Sequence, residues 1–310
     1  MRLVAWIIRT LLILACCVWR LEAAPTPLEP VQAELVAEAS SIQPGGTLRV
    51  GLRLITAPGW HTYWLNPGDA GLPTTLQWNL PDGFRAGSIQ WPVPQRIEVP
   101  PVVSFGYEGD VLLISEVSSP LALESGTPVR LSARAQWLAC KEVCLKGEAD
   151  VALELPVAAK STLDPRWLAA FPEARAKLPV PFTYFWSMVE ATVEPQVIVL
   201  RATTMARVLL NLSNATVFFF PVEAGVIDHA AAQRAERIPG ANGLVLTMAR
   251  SNASAPPPGR LRGVLTLHRM AWQVDIPLRR TDGRSDDATL DRWGGGDGVQ
   301  RVGGGRESDR

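Results

Sequence analysis

The residues best suited to chemistry are Cys140 and Cys144, set in Trp137-Leu-Ala-Cys140-Lys-Glu-Val-Cys144-Leu-Lys-Gly147. The other two cysteines, Cys16 and Cys17, fall in an N-terminal stretch that reads as an export signal. A thiol pair at this spacing has four uses: a structural disulfide, a metal-ligand pair, two free thiols, or reversible thiol–disulfide exchange. Loop length weakens the first. Closing about five residues gains only ~2 kcal/mol, against nearly 5 for a hundred-residue loop. The metal reading needs further ligands, and His61, His229 and His268 all lie far from the pair in sequence. Free thiols do not persist in an oxidising compartment. Exchange needs two Cα atoms about 4.4–6.8 Å apart, which a hairpin tip supplies, and a sulfur that a partner can reach. Lys141 favours a thiolate and Glu142 opposes it. On these residues alone, exchange and a structural disulfide remain evenly matched.

The elements around the pair read as strands. Val129, Leu131, Ala133, Ala135 and Trp137 alternate on the way in, and Ala149, Val151, Leu153 and Leu155 on the way out, which places Cys140 to Gly147 at or beside a hairpin tip. Upstream, Val31 to Ala37 and Leu48 to Ile55 repeat with period two, separated by the turn Gln43-Pro-Gly-Gly46. Thr74 to Leu80, Ile89 to Pro94 and Val111 to Val117 are further candidates, with Pro81-Asp82-Gly83 as a turn. The stretch Pro58 to Trp64 is dense in aromatics, and Asn66 to Pro73 is a loop by composition. Short strands with turns about every ten residues predict an all-β, antiparallel sandwich of immunoglobulin type.

Ser161 to Pro179 reads as a linker with a short helix, Asp164 capping it, Pro165 in its first turn, and Trp167, Leu168 and Phe171 sharing a face. A second, cysteine-free β-sandwich follows over 181–280, with strands expected at 193–201, 206–212, 216–220, 244–248, 261–268 and 271–278. From Thr281 the chain turns Gly-, Asp- and Arg-rich and is expected to be disordered. The first sandwich is expected over 28–158 and the linker over 159–180.

Composition sets the class. The chain has 310 residues, room for two domains, and its 47% hydrophobic content fills their cores. A formal net charge of zero removes the electrostatic footprint of a nucleic-acid binder. Arg2 and Arg9, the apolar run Leu11 to Val18 and the small pair Ala23-Ala24 make residues 1–24 a signal peptide. The alternative is a lipoprotein signal, with Ile13-Leu14-Ala15-Cys16 as a lipobox that would anchor the chain through Cys16. No later apolar run reaches spanning length, so an exported, oxidising location is expected.

Three motifs then carry a resemblance. Pro58-Gly-Trp-His-Thr-Tyr-Trp-Leu-Asn-Pro-Gly-Asp-Ala-Gly71, Phe105-Gly-Tyr-Glu-Gly-Asp110 and Trp137 to Cys144 resemble the amino-terminal periplasmic domain of the DsbD thiol:disulfide interchange proteins, in particular the branch of suppressor-for-copper-sensitivity membrane reductases. Phe219-Phe-Pro-Val-Glu-Ala-Gly-Val-Ile-Asp-His-Ala-Ala-Ala-Gln233 is similar to the second β domain of that branch, so the resemblance covers roughly residues 30 to 280. It implies that Cys140 and Cys144 are a redox pair in the periplasm and that no cofactor or metal is needed. Phe105 or Tyr107 would be the aromatic screen of a cap loop, and Tyr63, with Trp60 or His61, would line the site. The implied partners are a membrane-embedded electron donor, here on a separate chain, and periplasmic thioredoxin-like or disulfide isomerase proteins. The rival reading is a non-enzymatic immunoglobulin-like module with a permanent disulfide that docks a partner protein or copper.

Overall fold

The computed structural model describes residues 29–206 and 217–281. The expected signal peptide, the expected tail beyond Thr281 and nearly all of the strand expected over 206–212 lie outside the described residues. From Val31 onward the described residues pack as one compact unit. It is built almost wholly from strands, arranged as two immunoglobulin-like sandwiches.

In the first sandwich, β1 (Val31–Ala37), β2 (Thr47–Thr56), β5 (Arg85–Ala86) and β8 (Asp110–Ser118) form a four-stranded sheet in the order β1-β2-β8-β5. The facing sheet runs β10-β9-β3-β7-β6, from β3 (His61–Gly68), β6 (Gln95–Val99), β7 (Val102–Glu108), β9 (Pro128–Cys140) and β10 (Cys144–Pro156). A short β4 (Thr75–Asn79) pairs with β9 beside β3. Period-two alternation explains the core between the sheets. Leu48, Val50, Leu52 and Leu54 from one sheet meet Leu131, Ala133, Ala135, Trp137 and Ala139 from the other, all buried.

β9 and β10 pair along their full thirteen-residue lengths, from Pro128 opposite Pro156 to Cys140 opposite Cys144. The expected hairpin is present, with Lys141, Glu142 and Val143 as its turn. Gly147 lies opposite Trp137, and a Cβ there would come within 2.2 Å of the indole nitrogen. The bare backbone lets the Trp137 ring lie across β10.

One strand prediction is corrected. Ile89 to Pro94 is not a strand; only Gln90 makes an isolated bridge, to Ile114. Pro92 and Pro94 have no N–H to give a ladder. The strands of this region are β6 and β7, a hairpin that includes Phe105 and Tyr107.

The connection after Pro156 is ordered and packed. Asp164 accepts a hydrogen bond from the backbone N–H of Arg166 and caps a 3-10 turn, Pro165–Trp167, as its position before Pro165 predicts. The helix α1 (Ala170–Ala176) follows and lays Phe171 and Ala174 on Val36, Leu112 and Ile114. Arg175 pairs with Glu38. Leu168 does not share the buried face as expected, because the 3-10 turn breaks the helical phase before α1 begins; it is 53% exposed.

The second sandwich is one eight-stranded sheet folded on itself. It comprises β11 (Val180–Pro181), β12 (Met188–Val193), β13 (Val197–Thr203), β14 (Val217–Pro221), β15 (Arg234–Arg237), β16 (Gly243–Ala249), β17 (Arg260–Leu267) and β18 (Met270–Arg280). Its two halves, β14-β17-β18 and β12-β13-β16-β15, join where β12 runs parallel to β18. They enclose a single core that includes Phe219, Leu265 and Val274 from one half and Ile198, Leu200 and Leu246 from the other. The strand expected over 193–201 is instead the hairpin β12–β13, turning at Glu194 to Gln196.

The fully buried Phe171 makes the α1 contact testable. Phe171→Ala is expected to lower unfolding stability by about 3–5 kcal/mol, read as a shift of the urea midpoint, while leaving the Cys140–Cys144 hairpin formed.

Candidate functional site

The site follows from which way the strands face. On β9, Leu131 through Ala139 put every second residue into the core, so Cys140 falls on the opposite, outward face. Cross-strand pairing then puts two side chains beside it on that face: Cys144 on β10, and His61, whose backbone pairs with Cys140 at the start of β3. Tyr63, two residues on, shares that face, and its ring meets His61 edge-on with centroids 5.1 Å apart.

Cys140 and Cys144 form a disulfide with Cα atoms 4.1 Å apart. Its sulfurs differ in access: Cys140 is 4% exposed, whereas Cys144 lies open to solvent with Val143 and Leu145 exposed on either side of it. The Tyr63 hydroxyl points at Cys144 Sγ from 4.0 Å. Tyr63 is buried, which raises its pKa above the ordinary phenol value, and a hydrogen bond with the Ser104 side chain pulls it back in part. At neutral pH it is therefore a donor. His61 is also buried; that lowers its pKa, and the charge of Glu108 only partly opposes the shift. The imidazole beside Cys140 is thus held neutral. Lys141, in the turn, lies along Gly59, where a Cβ would sit 3.1 Å from its Cε.

Trp60, Phe105 and Tyr107 belong to the other face. All three join the core of the first sandwich. The Tyr107 hydroxyl donates to the Pro92 carbonyl at 2.7 Å, and burial pushes its pKa well above the ordinary value. Phe105 is fully buried and packs its edge against Phe218, Phe220 and His229 of the second sandwich, with ring centroids 6.2, 5.1 and 4.9 Å away. The structure therefore gathers Cys140, Cys144, His61 and Tyr63, and puts Trp60, Phe105 and Tyr107 across the sheet from them.

The sequence did not single out Ser104 or the segment from Asn66 to Leu72, the end of β3 and the loop after it, as part of the site. A Cβ on Gly71 would sit 2.3 Å from the Tyr63 ring, so the backbone at Gly71 lies flat on that ring. Gly71 has φ +116, a conformation that suits only glycine. The sequence signal was the glycine itself, directly after a motif rich in aromatics. Among the described residues, no cluster of three or more His, Cys, Asp and Glu is placed to hold a metal ion, and no helix is long and apolar enough to cross a membrane.

An immunoglobulin-like sandwich that carries a half-exposed disulfide at a hairpin tip defines a class of thiol–disulfide exchange modules. Residues 26–156 match the family described as thiol:disulfide interchange protein DsbD, N-terminal, and this stretch is a domain of that type. Among solved structures, the chain is similar to the N-terminal periplasmic domain of ScsB from Proteus mirabilis, with a TM-score of 0.60 and 21% identity over 83% of this chain and 96% of that one. At that identity the likeness concerns the fold, and it takes in both sandwiches. No curated protein sequence matches the chain.

Burial of His61 sets a pH dependence. Because its folded pKa is lowered, the unfolded chain takes up the proton first, near the ordinary value of 6.5. Stability from this group is complete above that value and falls as pH drops below it, until the folded form is protonated too. His61→Asn is expected to flatten the stability profile below pH 6.5 relative to wild type, measured by urea unfolding at a series of pH values.

Proposed function

We propose that the protein relays reducing equivalents in the periplasm through Cys140 and Cys144 to exported partner proteins. The observation that carries this reading is the asymmetry of the disulfide, with Cys144 exposed and Cys140 4% exposed at the end of a fully paired hairpin. A permanent staple gains nothing from an open sulfur. An exchange centre needs one sulfur to meet the partner and a second, protected one to resolve the intermediate.

In the reduced protein, the Cys144 thiolate attacks one sulfur of the partner's disulfide. A mixed disulfide forms, and the partner's other sulfur leaves as a thiolate. The Cys140 thiolate then attacks Cys144 Sγ, re-forming the internal disulfide and releasing the partner's first sulfur. Two electrons pass to the partner, and its two thiolates take up protons from solvent. The dithiol is regenerated by the same steps in reverse, with a dithiol of a membrane-embedded donor on a separate chain attacking Cys144. The Tyr63 hydroxyl, held protonated, donates to the charge that develops on Cys144 Sγ.

The partners that suit this site are other thiol–disulfide proteins, thioredoxin-like proteins and disulfide isomerases in particular. The exposed Val143 and Leu145 give them an apolar rim. The domain type of residues 26–156 supports this class of partner, as it supports a periplasmic location.

The reduction potential tests the reading. Equilibrated with dithiothreitol buffers, the pair is expected at about −120 to −270 mV, the range of exchange proteins, whereas a value below about −300 mV marks a structural disulfide. The second outcome would replace this proposal with a binding module. The roles of the two sulfurs have their own check. Cys140→Ser is expected to accumulate a mixed disulfide with an oxidised thioredoxin-like protein, and Cys144→Ser to react at least about tenfold more slowly because its one thiol is buried.

A further inference from the structure

The second sandwich has no cysteine, yet it grips the loop that backs Tyr63. Four side-chain contacts tie that segment down, beside the backbone bond from the Asp69 N–H to the Val103 carbonyl at 2.9 Å. The Asn66 side-chain amide donates to the carbonyls of Pro221 and Glu223, at 2.9 and 3.3 Å. The Asp69 carboxylate bridges two elements: one oxygen accepts the backbone N–H of Val103 at 2.8 Å, and the other meets His229 Nδ1 at 2.8 Å. A carboxylate only accepts, so the imidazole is the donor. His229 is itself fixed. It is 5% exposed, its ring packs on Phe105, and its backbone carbonyl accepts from Arg96 at 3.1 Å.

Asp69 lies two residues before Gly71, whose backbone covers the Tyr63 ring, and the Tyr63 hydroxyl points at Cys144 Sγ. A continuous chain of contacts thus runs from His229 through Asp69 and Gly71 to Tyr63 and the exposed sulfur.

We propose that His229 and Asp69 form a latch through which the second sandwich holds the Asn66–Leu72 segment, the end of β3 and the loop after it, and with it the Tyr63 phenol, in place at Cys144. His229 and Asp69 are positioning residues: neither touches a sulfur. This assigns the cysteine-free sandwich a part in the exchange chemistry, and in that sense it rests on the exchange reading above. Releasing the latch frees Gly71 from the ring, lets Tyr63 swing aside and widens the approach to the already exposed Cys144.

The test uses the full chain with Asp69→Ala, His229→Ala and the double change, together with His229→Asn, which keeps a side-chain N–H close to the Nδ1 position. Three readouts apply: the rate at which dithiothreitol reduces the disulfide, amide hydrogen exchange over residues 66–73, and spectrophotometric titration of the phenols. The last is readable because the chain has only three tyrosines. Each single change is expected to speed reduction about three- to tenfold, the factor carried by one hydrogen bond to a partly solvated carboxylate. Exchange in the loop should quicken, and one phenol should move toward the ordinary tyrosine value. The double change should add little to the Asp69 change alone, because the His229 bond is already broken there, and His229→Asn should restore most of the wild-type behaviour.

Amides of Leu200 and Leu246, in the core of the second sandwich, should keep their protection; a general loosening would expose them. Wild-type reduction rates and an unmoved phenol in both single variants would overturn the latch, as would fully additive effects. The two readings fail separately. A potential below the exchange range removes the relay but leaves the loop and phenol shifts intact. An exchange-range potential with no such shifts removes the latch alone.

Discussion

The pairing register of β9 with β10 is the constraint on which the rest of the site depends. Side chains on a strand alternate, so a slip of one residue would turn Leu131, Ala133, Ala135, Trp137 and Ala139 out of the core and the cysteines into it. Burying a side chain the size of Leu131 or Trp137 contributes about 1.5–3 kcal/mol, and several such residues lie on this one hairpin. The disulfide closes so short a loop that it contributes about 2 kcal/mol. The comparison decides the direction of cause. The hairpin holds the sulfurs opposite each other, and the sulfurs do not hold the hairpin, so the pair can open and close on a scaffold that stays folded.

The same sheet serves two purposes because its two faces are independent. On β3, His61 and Tyr63 turn to the disulfide, while Trp64, and Trp60 just before the strand, turn inward. Further along, that inner face meets the second sandwich, where Trp64 and Phe105 pack their edges on Phe220. The polar groups that must cross this apolar contact are paired: Asn66 with two carbonyls, and Asp69 with an amide and an imidazole. Left unpaired, the buried Asn66 amide would cost about 1–3 kcal/mol, whereas the Asp69 carboxylate keeps 36% of its side chain in water. The join between the sandwiches is therefore specific in geometry as well as apolar, and it ends at the strand and loop that carry Tyr63.

Much of this was legible in the sequence wherever one face of a strand is wet. β1, β2, β9 and β10 alternate cleanly, and the position of the cysteines at a hairpin tip follows from that alternation alone. Asp164 before Pro165 announced its cap. The pattern failed where both faces are buried. Val103 through Tyr107 are five consecutive buried residues, so β7 has no polar phase to read. The resemblance put Phe105 or Tyr107 on a cap loop, whereas both lie in this strand. Gly106 sits there because a Cβ would come within 2.0 Å of the Thr62 carbonyl oxygen, a demand of the neighbouring strand that leaves no local mark. The contact between Asp69 and His229 joins residues 160 positions apart, and no spacing rule could pair them.

What the buried polar neighbours of the sulfurs, His61 and Tyr63, have in common is neutrality. Burial lowers the pKa of His61 and raises that of Tyr63, so at neutral pH neither carries charge. A thiolate formed here gains the hydroxyl dipole of Tyr63 and no cation from His61. Many reactive cysteines gain their speed from a nearby positive charge, but a strongly stabilised thiolate is also a weaker nucleophile. A site with neutral neighbours keeps nucleophilicity and leaves the rate to access. That places control in the geometry over Cys144: the Tyr63 ring, the backbone at Gly71 that lies on it, and whatever holds that backbone down. In such a design, selectivity among partners comes from which surface can approach an open sulfur between Val143 and Leu145.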